Sequence, residues 1–237
     1  MYEQTRLNLK KIILYPAIIL LFGCSPLKKF ENTKYVFESE VQVLEALTDY
    51  KKLDNYILFV GSSSIRRWDN ITQQMAPYQV VKRGYGGAHF YDLIHFTERL
   101  VSPHQKASAL ICFVANDISG KDSDLSPGEV FRLFKYFTRQ VHRLHPKLPI
   151  YFIEITPTPS RWKFWDQISK VNAKVQQYAA SHSMINFIST QKKFLGPSGR
   201  PLSDLFVSDS LHLNDKAYHL WSEIIKKKLI QVQPSLN

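Results

Sequence analysis

The chain has 237 residues, of which 44% are apolar and 22% charged, with a formal net charge of +11. That balance belongs to an ordinary globular protein with room for one sizeable core, and it excludes wholesale disorder. The two cysteines leave no cysteine metal-ligand spacing.

Residues 1–23 read as a targeting segment. Arg6, Lys10 and Lys11 precede an apolar run from Ile12 to Phe22, interrupted by Pro16. A membrane-spanning helix needs about 20 residues, so this run is too short and has instead the shape of a secretory signal. It ends in Leu21-Phe22-Gly23-Cys24, which resembles the bacterial lipobox. The resemblance implies that Cys24 becomes a lipidated first residue anchoring the protein in a bacterial cell envelope. Ser25 then favours an outer membrane where the cell has one. With Cys24 acylated, Cys112 in "ALICFV" is left as a small buried apolar residue.

Removing the signal takes three cations and one anion, so +9 of the +11 remains. Such charge suits an anionic membrane surface. Nucleic acid is not expected as a partner, because the basic residues are scattered. The one run, Lys226-Lys227-Lys228, closes a helix, where cations complement the dipole.

Residues 24–55 are expected to form a tether and a helix in which Val41, Leu44 and Leu47 share a face. From residue 56 the pattern alternates. Apolar runs of strand length are "YILFVG" (56–61), "YQVV" (78–81), "ALICFV" (109–114), "IYFIEI" (150–155) and "INFIS" (185–189). Helices are expected near 90–101, 127–145, 166–182 and 215–230. The second is the clearest. Ser126, Pro127 and Glu129 form a capping box, and Val130, Leu133, Phe134, Phe137, Val141 and Leu144 follow at helical spacing. Strands alternating with helices predict a three-layer α/β/α sandwich on a five-stranded, mostly parallel sheet within one domain, 56–237.

Ligands of such sheets sit beyond the carboxyl ends of the strands. The first strand delivers Gly61-Ser62-Ser63-Ser64 there, the second Lys82-Arg83-Gly84-Tyr85-Gly86-Gly87, the third Val114-Ala115-Asn116-Asp117. The fourth delivers "TPTPSRW" (156–162), and "SDSLHLND" (208–215) sets Asp209 three residues before His212.

This constellation resembles the SGNH (GDSL-type) hydrolases over about residues 56–230. "FVGSSSIRRW", "KRGYGGAHFYDL" and "PSRW" are most similar to the subgroup related to platelet-activating-factor acetylhydrolase. The resemblance implies a flavodoxin-like fold and makes Ser63 the nucleophile. It places the family's oxyanion-hole glycine on Gly87, its asparagine on Asn116, and its Asp-x-x-His on Asp209 and His212. One departure stands out: Val114 replaces the glycine of the family's Gly-x-Asn-Asp.

The chemistry agrees with those assignments. A serine hydroxyl needs a base to take its proton, and His212 is the candidate, oriented by Asp209. The backbone N–H groups of Ser63 and Gly87, with the Asn116 amide, can receive the oxyanion. No metal and no cofactor are expected. His142 and His145 lack a third ligand, and Asp122, Asp124 and Glu129 do not follow the calcium-loop order.

Arg161 and Trp162 are the expected substrate contacts on the same rim. The expected substrate is a small ester, an acylated glycan or a lysophospholipid. The alternative is a non-catalytic envelope lipoprotein that keeps the fold as a glycan-binding module, and Val114 is its only support.

Overall fold

A computed structural model describes residues 27–33 and 35–232. The lipobox and Cys24 lie outside the described residues. Five strands form one parallel sheet in the order β2-β1-β3-β4-β5. They are β1 (Tyr56–Gly61), β2 (Val80–Gly84), β3 (Ala107–Phe113), β4 (Ile150–Ile153) and β5 (Ile185–Ile188).

The helices, in chain order, are α1 (Glu38–Ala46), α2 (Ser63–Arg66), α3 (Ile71–Gln74), α4 (Phe90–Leu100), α5 (Pro127–Leu144), α6 (Trp165–Ala180), α7 (Gln191–Phe194) and α8 (Asp215–Val232). The central strands β1, β3 and β4 are largely apolar because both faces are covered. Alternate side chains turn to opposite sides, as period-two geometry requires. Leu58, Val60, Leu110, Cys112 and Phe152 join α1, α4, α5 and α6 in one core. Ile57, Phe59, Ile111, Phe113 and Tyr151 join α3, α7 and α8 in the other, around Trp68 and Trp221. The three-layer sandwich expected from the alternation is the fold observed. Helix α5 carries the capping box, with Ser126 accepting from the Glu129 N–H and the Glu129 carboxylate accepting from the Ser126 N–H.

Three boundaries differ from the sequence reading. Strand β2 starts later and runs through Lys82 and Arg83. As the edge strand it tolerates these cations: Lys82 donates to the Arg66 and Trp68 carbonyls, and Arg83 to those of Lys82 and Leu47. Helix α1 ends at Ala46, so Leu47 lies beyond it and is exposed. The lysine run of α8 lies before its last turn, and Lys226 donates to the carbonyls of Gln74 and Ala76.

From Leu27 on, the segment expected as a tether is part of the folded body. Phe30 stacks on Tyr91, Phe37 meets Tyr85, and Val41 is fully buried.

Candidate active site

In this strand order, chains leaving β1 and β3 turn to different sides, which opens a crevice at their carboxyl ends. The backbone holds that crevice through Gly61. It adopts φ +135°, and a Cβ there would lie 2.0 Å from the Phe113 carbonyl oxygen. Ser62 N–H donates to the same carbonyl and Tyr85 N–H donates to the Gly61 carbonyl, so the ends of β1, β2 and β3 are laced together. Ser63 follows as the first residue of α2.

His212 reaches Ser63 from 149 positions along the chain, with 2.9 Å between its Nε2 and the Ser63 Oγ. Its Nδ1 lies 2.6 Å from Asp209 Oδ2. The other carboxylate oxygen, Oδ1, accepts from the N–H groups of Leu211 and His212 at 2.9 Å each. Burial pushes the Asp209 carboxyl up. The His212 ring and the two backbone donors outweigh it and hold the group down at about 2. An ionised Asp209 accepts at Nδ1 and so selects the tautomer whose Nε2 can take a proton from Ser63. The loop is positioned by a bridge between Phe206 and Leu213, by Val207 N–H on the His212 carbonyl, and by Ser160 N–H on the Ser210 carbonyl.

Gly87 sits opposite with φ +73°, a left-handed turn suited to glycine. Among the described residues, neither its N–H nor that of Ser63 has a protein acceptor. Asn116 completes the rim, its Nδ2 donating to the Ala88 carbonyl at 2.9 Å with one hydrogen left over. Asp117, next to it, is buried and accepts the Phe90 N–H at the start of α4; burial lifts its carboxyl to about 6. Val114 is fully buried in the core beneath this loop. Asn116 faces the site all the same, so the loss of the family glycine leaves the rim assembled.

Ser63, Gly87, Asn116 and His212 line an open depression of about 390 Å³, together with Glu40, Arg66 and Arg67. Glu40 was not legible as a site residue. From α1 it accepts from Arg66 and from the Gly86 N–H, both at 3.0 Å, which ties the glycine turn to α2. On the other side of Ser63 is a tight crevice of about 20 Å³, bordered by Phe113, Ala115, Ile155, Thr156 and Thr158.

The two expected substrate contacts are placed differently. Arg161 borders the crevice, but its guanidinium is engaged by protein, Nη1 on the Ala115 carbonyl at 2.6 Å and Nη2 on Asn116 Oδ1 at 2.8 Å. Trp162 stacks on Trp165 at 5.7 Å with the Arg200 guanidinium over its ring, and it lines neither depression. The acidic residues weighed as a calcium loop have local roles. Asp124 accepts from the N–H groups of Ser119 and Gly120, and Glu129 caps α5. His142 and His145 contact the carbonyls of Leu148 and Val101.

Residues 55–220 match the GDSL-like Lipase/Acylhydrolase family. The chain belongs to that family. It is accordingly a carboxylic ester hydrolase by family, on an α/β fold shared with solved GDSL relatives. A proposed platelet activating factor from Streptococcus pneumonia superposes with a TM-score of 0.70 at 19% identity, over 86% of this chain and 97% of that one. A proposed acylhydrolase from Bacteroides fragilis gives 0.67 at 18%, over 84% and 97%. A carbohydrate esterase family 3 structure from Talaromyces cellulolyticus gives 0.57 at 16%, over 75% and 97%. No curated protein matches the chain.

Proposed function

We propose that this GDSL-like hydrolase cleaves short-chain acyl esters by nucleophilic catalysis at Ser63. The observation that carries the reading is the continuous hydrogen-bond chain from Ser63 Oγ through His212 to Asp209. Ser63 Oγ attacks the ester carbonyl carbon while its proton passes to His212 Nε2. The carbonyl oxygen takes up the negative charge and is met by the N–H groups of Ser63 and Gly87 and the free Nδ2 hydrogen of Asn116. Collapse breaks the bond to the alkoxy oxygen, which leaves with the proton from His212. Water then repeats the sequence on the acyl-serine, returning Ser63 and releasing the acid.

The small crevice favours a short acyl group, since about 20 Å³ accommodates roughly one water-sized group. The wider depression is open enough for a sugar or glycerol moiety on the leaving side. Two solved relatives are described as carbohydrate esterases, which supports deacetylation of envelope or extracellular carbohydrate; a lysophospholipid is the other candidate substrate. The Gly23-Cys24 ending supports a lipid anchor at Cys24 that places the enzyme on the bacterial envelope.

The deciding experiment is hydrolysis of p-nitrophenyl acetate by the wild type and by Ser63→Ala, with a fluorophosphonate probe alongside. Turnover should collapse in the variant and the probe should modify the peptide containing Ser63. Undiminished turnover, or an adduct on Ser62 or Ser64, would overturn the assignment.

A further inference from the structure

Arg161 is an unusual residue to find where it is. Arg161 is half-buried, and no carboxylate forms an ion pair with it among the described residues; Asp124 and Asp117 support its charge only from a distance. A partly desolvated cation without a paired anion is held there by its hydrogen bonds to neutral acceptors. Both of its bonds fall on the loop that carries Asn116, one on the Ala115 carbonyl and one on the Asn116 side chain.

The chemistry of the partners fixes which way that amide faces. A guanidinium has donors and no acceptor, so only the Asn116 Oδ1 can turn toward it. The Ala88 carbonyl has no donor, so only Nδ2 can turn toward it, and the two contacts demand the same orientation. The second Nδ2 hydrogen is thereby kept for the rim of the depression that holds Ser63. A cation on Oδ1 also polarises the amide, which makes that N–H a stronger donor to developing negative charge.

From this geometry we infer that Arg161 is a positioning residue: it orients and polarises the Asn116 amide toward the oxyanion and does not bind substrate itself. The inference rests on the esterase reading above. A lysine cannot reproduce the arrangement, since a single ammonium does not present two parallel donors.

The test compares wild type, Arg161→Ala, Arg161→Lys, Asn116→Ala and the Arg161→Ala/Asn116→Ala double variant on two esters. One ester is neutral, p-nitrophenyl acetate, and the other anionic, mono-p-nitrophenyl succinate. Arg161→Ala should lower kcat about 100-fold on both, with KM changed by less than about threefold, in keeping with the loss of one oxyanion donor. The double variant should be no slower than Asn116→Ala, because the arginine acts through the asparagine. Should Arg161→Ala fail to fold, Arg161→Lys reads the same way, with a smaller fall in kcat at unchanged KM. A rise in KM confined to the anionic ester would overturn the inference in favour of substrate binding, and so would multiplicative losses in the double variant. Ser63→Ala is run in parallel: if it turned over both esters like wild type, the esterase reading itself would fall and this inference with it. Serine-dependent turnover with either adverse outcome would remove only the role of Arg161.

Discussion

Replacing Asp209 with asparagine probes the proposed base directly. The amide oxygen can still accept from the Leu211 and His212 N–H groups, so the loop should keep its shape. The amide nitrogen would then face His212 Nδ1, which can only accept from it. The ring proton is driven to Nε2, and a donor is aimed at Ser63 where an acceptor is needed. Two losses combine. The 2.6 Å charged hydrogen bond to His212 disappears, worth about 1.5–3 kcal/mol. So does the attraction between carboxylate and imidazolium, about 1–4 kcal/mol at ~4 Å between water-like and surface-like screening. The Asp209 side chain is 42% exposed, which places it toward the weaker end. Because the two effects overlap, about 4 kcal/mol is expected, a fall of about 1000-fold in kcat/KM. A fully buried carboxylate in this role would cost about tenfold more. The assay is p-nitrophenyl acetate hydrolysis across pH 4–9. Asp209 is held at about 2, so it is a carboxylate throughout that range and its contribution is lost only as pH falls toward 2. The acid limb must therefore belong to another group and should keep unit slope in the variant while the plateau drops. Activity within tenfold of wild type would refute the claim that Asp209 sets the His212 tautomer.

Ser63→Ala and His212→Ala should each abolish most activity, and the double variant should be little worse than either, whereas multiplicative losses in steady-state kinetics would point to another base. Gly61→Ala should cost more than about 4 kcal/mol, since its Cβ would meet the Phe113 carbonyl at 2.0 Å; a urea midpoint near wild type would contradict the lacing of β1 to β3. His104 is held down near 3 by burial, helped by Arg83 and His145, so it is neutral in the fold while the unfolded chain titrates at about 6.5. Its folded value being depressed, stability should be intact above that pH and fall at about 1.4 kcal/mol per unit as pH drops toward 3; urea titrations at pH 7 and 5 should show a shallower loss in His104→Gln. Expressed in a bacterium, the full chain should partition into detergent, and Cys24→Ala should abolish this; an unacylated N-terminus by mass spectrometry would refute the anchor.

The sheet and the Ser63–Asp209–His212 set were legible because each rests on local pattern. Apolar runs mark strands covered on both faces, and the glycine, the serines and the Asp-x-x-His stand at strand or helix boundaries that converge on one rim; the choice of Ser63 among three serines came from the resemblance to the SGNH hydrolases. Edge strand β2 was displaced because its ladder continues through Lys82 and Arg83, whose charges satisfy themselves on neighbouring carbonyls. Arg161 was legible as a rim residue but not in the positioning role proposed for it. A cation in a proline-rich loop looks solvent-facing, and its partner Asn116 is 45 positions away. Glu40 carried no signal at all, since only the docking of α1 beside the glycine turn gives it Arg66 and Gly86 to hold.

The distance along the chain between Ser63 and His212 has a consequence for timing. During synthesis the strands that lead to Ser63, Gly87 and Asn116 emerge long before residue 212, and on the proposed mechanism a serine without its base is close to inert. The loop with Asp209 and His212 leads directly into α8, whose Tyr218, Trp221, Ile225 and Leu229 close the second core. Seating the base and sealing that core are thus expected to be one event. On the proposed mechanism, a nascent chain lacking this last segment would present Ser63, Gly87 and Asn116 with no means to cut an ester, so hydrolytic activity would report completion of the fold.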